Sequence, residues 1–420
     1  MSRRTLIGPC SQLLTLAGSS RPRHGVEQGE LEIINEGGIL IEDDTIKWVG
    51  LFRDLPPIAA EAPTERIFAR ECVVMPGFVD SHAHPVFVKS RAQEYELRIQ
   101  GKSYPEIAAM GGGILTSVAD VRNASLEQLV EVSQARIPRF LEHGTTTLEA
   151  KTGYGLDLVN EIKMLEAIRR LQATTSLELV PTFLGAHEIP PEYKSHKAEY
   201  VRLLIERIIP EVSKRGLAEF CDCFVEPGIF ELDQAEEILR TAKCHGLQLK
   251  LHADQLSRSG ATLLGVKLGA VSIDHLEQIA SQEIHALAES PSVATLLPGS
   301  VFHLGAEPYP PARALIEAGV PVALATDFNP GSSPTVSMQM ILSLACTQMR
   351  MTPAEAIVAG TINAAHALSR DSRIGSLEEG KQADLCIMAV ADYREIPYWF
   401  GMNHCTMTIK KGRVVYQKPP

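Results

Sequence analysis

Between residues 77 and 327 the sequence repeats one pattern eight times: a short apolar run, then a longer stretch of helical or turn character. The runs are Gly77–His84, Thr145–Lys151, Glu178–His187, Phe220–Glu226, Gln248–Asp254, Ser272–Leu276, Val293–Pro298 and Val322–Asp327. Near-continuous apolar runs suit parallel strands covered on both faces. Strands alternating with helices make βα units, and eight units close most simply into a (β/α)8 barrel. Two capping boxes mark helix starts. Ser125-Leu126-Glu127-Gln128 opens a helix expected to run to about Gly144 with a kink at Pro138. Thr352-Pro353-Ala354-Glu355 opens another, with proline at its first position.

The two ends of the chain differ from this middle and are alike in character. Ile39-Leu40-Ile41, then Glu42-Asp43-Asp44, then Thr45–Gly50 is a hairpin pattern. Strand-like runs return at Gly380–Met388, Thr406–Lys410 and Arg413–Tyr416. The expectation is a discontinuous β-sandwich domain, 1–75 with 371–420, beside a catalytic barrel of 76–370. A chain of 420 residues is long enough for both. The net charge of −11, with no basic cluster, argues against a nucleic-acid partner. The basic, mildly apolar start is interrupted by Pro9, Ser11, Gln12 and Thr15 too early for a signal peptide. No run is long enough to span a membrane, so a cytosolic (cytoplasmic) protein is expected. The eight cysteines show no paired spacing and read as reduced thiols, with Cys221-x-Cys223 in the core.

Polar residues gather at the C-terminal ends of the runs, where barrel enzymes place their chemistry. The first is Pro76-Gly77-Phe78-Val79-Asp80-Ser81-His82-Ala83-His84. Histidines two apart share one face of a strand and can chelate one metal ion. Alone, such a pair is more often a hydrogen-bonded pair beside a turn. Here the second run leads into Lys151-Thr152-Gly153-Tyr154-Gly155. The third ends in His187, the fourth in Glu226, the fifth in His252, the sixth in His275 and the eighth in Asp327. Four histidine-bearing strand ends and a terminal aspartate in one barrel point to a metal site.

These residues resemble the metal-dependent amidohydrolase superfamily, and Gly380-Lys381-Gln382-Ala383-Asp384-Leu385 resembles its C-terminal sandwich signature. Within the superfamily the sequence is most similar to the imidazolonepropionase family. That similarity lies in Lys151–Leu156, Phe183–His187, Lys250–Asp254 and Ala325–Gly331. It implies one Zn or Fe ion per chain, held by His82, His84, His252 and Asp327. Relatives with two metals bridge them by a lysine at the end of strand four, where this chain has Glu226. Lys151 reads as a structural or substrate-side cation. The implied substrate is a small molecule, 4-imidazolone-5-propanoate, hydrolysed at its cyclic amide in histidine degradation. His275 and Asp327 would then handle protons. Arg91 would grip the propionate in a two-pronged contact, with Tyr104 and Tyr154 at the same carboxylate or the ring. The resemblance assigns His187 to the ring, and Asn329, Gly331 and Ser332 to the product's glutamate end. Many bacterial relatives have Glu after His-Ala-Asp; this chain has Gln255, which can hydrogen-bond ring nitrogens but takes no proton near neutral pH. Gly111–Gly113 reads as a loop over the mouth, and a homodimer is expected. Two rivals stand beside this reading: another hydrolase or deaminase of the superfamily acting on a nitrogen heterocycle, and a non-catalytic scaffold. Arg91 with Tyr154 argues against the first, and the intact ligand set against the second.

Overall fold

The computed structural model describes residues 3–18, 20–57, 65–102, 106–107 and 110–419. Four strands open the chain: β1 (Arg4–Leu14), β2 (Ile33–Glu42), β3 (Thr45–Leu51) and β4 (Glu65–Pro76). Eight occupy the middle: β5 (Phe78–Asp80), β6 (Thr145–Lys151), β7 (Glu178–Ala186), β8 (Phe220–Cys223), β9 (Gln248–Ala253), β10 (Ser272–His275), β11 (Val293–Leu296) and β12 (Val322–Leu324). Three close it: β13 (Leu385–Met388), β14 (Cys405–Lys410) and β15 (Arg413–Gln417).

The eight middle strands lie side by side in sequence order, every neighbour parallel. This is the (β/α)8 barrel that the alternation predicts. Its seam is unusual in kind, because β12 and β5 share no regular ladder. The residues just past them do the joining: Asp327 N donates to His82 O (2.9 Å) and His84 N to Phe328 O (2.8 Å). Below these, Thr326 N donates to Asp80 Oδ1 at 2.9 Å.

Several strands stop short of the expected ends: β5 at Asp80, β8 at Cys223 and β12 at Leu324. His82 and His84 therefore sit on an extended tail rather than in a strand. They keep a common direction because that tail still pairs in parallel with Phe328 through Ala83. Asp254, His275 and Asp327 have φ of 49°, 81° and 51°. Such left-handed conformations break the pleat and turn the chain towards the next helix.

Both expected capping boxes are present, at Ser125 and Thr352. The first helix ends at Gln134, and a second, Ile137–Glu142, starts with Pro138 in its first turn. Proline here opens a new helix instead of kinking one, since a first-turn position needs no amide hydrogen.

Strands from the two chain ends form one seven-stranded sheet in the order β15-β14-β13-β4-β1-β2-β3. The sheet curls back on itself: Ala383 N donates to Asp44 O (2.8 Å) and Ile46 N to Lys381 O (2.9 Å). It encloses its own core, with Ile7, Leu13, Ile39, Val74, Leu385 and Ile409 among its members. It docks at the barrel's strand starts. Lys410 Nζ lies 3.1 Å from Glu178 Oε2 and 2.6 Å from Asp384 Oδ2. Arg370 and Arg373 also reach Glu178, at 3.1 and 2.9 Å. Burial pushes the Glu178 carboxyl up, but Lys410 and the two arginines outweigh it and hold it at about 2. The sheet thus docks at the end of the barrel opposite to His82, His84, His252, His275 and Asp327. All eight cysteines are free, and Cys221 and Cys223 are buried in β8. Among the described residues no helix is long and apolar enough to cross a membrane.

Candidate metal centre

The mouth is built from tails of strands far apart in sequence. His82 and His84 follow β5, His252 lies near the end of β9, His275 ends β10, and Asp327 follows β12. His82 Nε2 and His84 Nε2 each lie 3.6 Å from Asp327 Oδ1. His82 and His252 stack edge to face, with ring centroids 4.5 Å apart. Donor atoms of His82, His84 and Asp327 fall within 4.8 Å of one another, and so do those of His82, His252 and His275. All five side chains are buried. His82 Nε2 has no hydrogen-bond partner, although it is sealed from solvent. A buried lone pair without a partner is costly, and an ion between these donors would satisfy it.

Electrostatics point the same way. Burial pushes His82 and His84 well below the usual histidine range, with nearby cations and imidazoles adding to it. Burial also lowers His252, against the pull of Asp222. The imidazoles are thus neutral, the form that binds a metal. Burial pushes Asp327 up to about 7, opposed by His275 and a hydrogen bond from Asn329. His275 differs from the other histidines. Burial lowers it, but Glu277, 3.3 Å from its Nδ1, more than reverses that and leaves it raised.

Behind the donors lies a layer of charge from which the sequence singles out only Lys151, found here as a buried structural cation. His82 Nδ1 meets Asp274 Oδ2 at 2.7 Å. His252 Nδ1 lies 2.9 Å from Asp222 Oδ2, close but off the line of a straight hydrogen bond. Lys151 Nζ is 2.6 Å from Asp222, 3.1 Å from Glu149 and 3.6 Å from Asp274. Lys250 Nζ donates to Ser81 O (2.8 Å) and Glu149 Oε2 (3.0 Å). All five charged groups are fully buried. The signal was there: Glu149 with Lys151, and Lys250 with His252, are two apart inside apolar strands, so each pair shares the barrel-facing side.

The other expected site residues fall around this centre. His187 stacks on His84 (centroids 5.1 Å, 14°), and its Nδ1 lies 3.1 Å from Gly153 O. Burial holds it at about 3, so it stays neutral. Tyr154 is buried, with its ring 5.6 Å from that of His187, and burial keeps its phenol protonated. Asn329 shapes the loop after β12, with its Oδ1 accepting from Gly331 N (2.8 Å) and Ser332 N (2.7 Å). Arg91 packs against Gly331, where an added Cβ would meet Arg91 Nη1 at 2.3 Å. The two-pronged edge expected to face the substrate is taken by Glu94, whose Oε2 accepts from Nε (2.9 Å) and Nη2 (2.6 Å). Nη1, beside Gly331, has no hydrogen-bond partner among the described residues. Arg98, not singled out from sequence, donates twice to Gly331 O at 3.1 Å. Gln255 is half-buried on the loop after β9. That loop is anchored by Asp254, which accepts from Ser259, Gly260 and Thr262. Glu226 ties the neighbouring loop to it by accepting from Leu256 N at 3.3 Å. Gly112 packs on Ile107 and Glu94. Tyr104 lies outside the described residues.

Residues 73–415 match the model of the amidohydrolase family. An imidazolonepropionase of Solibacter usitatus is 50% identical over 409 residues, covering 97% of this chain and 98% of that protein. One of Geobacillus thermodenitrificans is 48% identical over 416 residues, 98% of each. Among solved structures, an adenosine deaminase from Xanthomonas campestris with bound zinc superposes with a TM-score of 0.71 at 18% identity, covering 98% of this chain and 92% of that one. Guanine deaminase of E. coli gives 0.71 at 17% identity over the whole of both chains. At such low identity these two bear on the fold alone.

Proposed function

The chain belongs to the amidohydrolase family and, within it, to the imidazolonepropionases, and from that premise we propose how it hydrolyses 4-imidazolone-5-propanoate to N-formimidoyl-L-glutamate. One observation carries the proposal. The buried donors of His82, His84 and Asp327 have the His252 ring beside them and Tyr154 close to His84, and Arg91 packs on the Gly331 loop that follows Asp327. The substrate has a cyclic amide at one end and a carboxylate at the other, and so needs both.

We assign one Zn or Fe ion per chain to those four donors; nitrogen and carboxylate ligands suit either metal. When bound, the ion supplies a water of lowered pKa and polarises the ring carbonyl. The chain's own residues do the rest. His275, oriented by Glu277 at Nδ1, offers Nε2 to take and return a proton, and Asp327 shares that work. His187, neutral and flat against His84, hydrogen-bonds the ring. Arg91 Nη1 and the protonated Tyr154 meet the propionate, with the Asn329–Ser332 loop around the glutamate end as it forms. Gln255 hydrogen-bonds the ring and moves no proton. The same reading expects a homodimer, which sedimentation would test.

The functional test is incubation with freshly prepared imidazolone propionate. Loss of its ultraviolet absorbance with formimidoylglutamate appearing is the expected result. Release of ammonia would instead assign the site to a deaminase, and no turnover by metal-loaded protein would sink the reading.

A further inference from the structure

The barrel interior of most such folds is filled by branched apolar side chains. Here its upper layer holds two ammonium groups and three carboxylates, all without solvent exposure. Burying such a set costs several kcal/mol per ion before pairing, and well-packed apolar residues would serve stability at least as well. The charges therefore call for a purpose beyond holding the strands together.

Their arrangement shows one. Lys151, on β6, is the one cation in the layer that reaches both carboxylates behind the metal-facing histidines. It lies 2.6 Å from Asp222, behind His252, and 3.6 Å from Asp274, behind His82. The same oxygen, Asp222 Oδ2, faces both Lys151 Nζ and His252 Nδ1. Asp274 Oδ2 does the same for Lys151 and His82. One ammonium thus ties together β6, β8, β9, β10 and the tail of β5. Lys250 cannot replace it, since its contacts are Ser81 O and Glu149, with Asp274 only at 3.9 Å.

We propose that Lys151 is a positioning residue for the metal: its buried ammonium fixes Asp222 and Asp274, which aim His252 and His82 so that each presents Nε2 to the ion. Outer partners of metal-bound histidines set ring orientation, and their loss typically weakens metal binding 10- to 100-fold. Lys151 stands one step further out and acts on two ligands at once. The proposal deepens the metal-centre reading above and rests on it.

The test measures metal affinity, not turnover. Protein stripped by a chelator is titrated with Zn(II) against a chromophoric competitor, for wild type, Lys151→Met, Asp222→Asn and the double variant. Melting of each stripped protein shows that it is folded. Lys151→Met is expected to bind roughly 10- to 100-fold more weakly. The double variant should lose clearly less than the product of the two single losses, because part of the effect of Lys151 runs through Asp222. Wild-type-tight binding by folded Lys151→Met would overturn the proposal, and so would losses that multiply in full. If Lys151→Met does not fold, Lys151→Gln keeps a donor to Asp222. A loss of fivefold or more in that variant supports the proposal, and unchanged affinity refutes it. Failure of the wild type itself to bind zinc would strike the metal-centre reading, not this one.

Discussion

Arg91 is a cation whose stronger edge is already spoken for. Glu94 fixes it, Gly331 leaves it room, and among the described residues Nη1 is without a partner. Such an arginine is pre-oriented, so its removal should tell mainly on substrate binding. Arg91→Ala is expected to cost roughly 2–4 kcal/mol, or about 30- to 1000-fold in kcat/KM. Steady-state kinetics check this, and an unchanged value would place the carboxylate elsewhere. His275 is the cleaner probe of proton transfer, because the four assigned donors are complete without it. His275→Ala should keep its metal and fold and lose roughly 10²–10⁴-fold in kcat. His275 lies within ligand distance of His82 and His252. A variant purified without metal would therefore make it a ligand instead. At this scale the sequence was legible where chemistry stands at strand ends: His82, His84, His252, His275 and Asp327 could be picked out by position. It was not legible where charge hides inside apolar runs. Asp222 sits between two cysteines and Asp274 between an isoleucine and a histidine. Only the closed barrel shows that they face His252 and His82.

At the scale of elements, Gly77 joins the two sheets. It is the single residue between β4 and β5, and its amide donates to Asp384 O at 3.1 Å. A Cβ here would stand 2.3 Å from Thr146 Cγ2 and 2.5 Å from its Oγ1, on the neighbouring strand. Thr146 is buried and cannot swing clear. Gly77→Ala is therefore expected to destabilise by about 1–3 kcal/mol through overpacking, seen as a lower melting temperature. The capping box at Thr352 is a smaller case. Thr352→Ala removes the acceptor for Glu355 N and should cost about 1 kcal/mol. All eight barrel strands were found from their apolar runs, β6 with both its ends, but most of the other ends were drawn too long. Apolarity continues into the extended tails, and β9 and β10 end where the backbone turns left-handed, at Asp254 and His275. A sequence does not advertise a left-handed aspartate or histidine.

For the whole molecule, Glu178 clamps the curled sheet to the foot of the barrel. Its folded carboxyl lies at about 2, below the ordinary value near 4.3. A lowered carboxylate contributes stability above its unfolded value and loses it as pH falls through the folded one. The contribution, about 3 kcal/mol at neutral pH, should drain away between about pH 4.5 and pH 2. Glu178→Gln is therefore expected to melt below wild type at pH 7. The gap should narrow as the pH is lowered across that window, and a gap unchanged by acid would mean that the clamp is not ionic. The other joint, the barrel seam, works differently. Asp80 and Thr326, 246 residues apart, meet there, and directly above them the first two donors meet the last. A ribosome releases His82 and His84 long before Asp327 exists. Until the eighth strand has emerged and shut the ring, the nascent chain carries an unfinished cage. A translation product that ends before Val322 lacks both the eighth strand and the last of these donors.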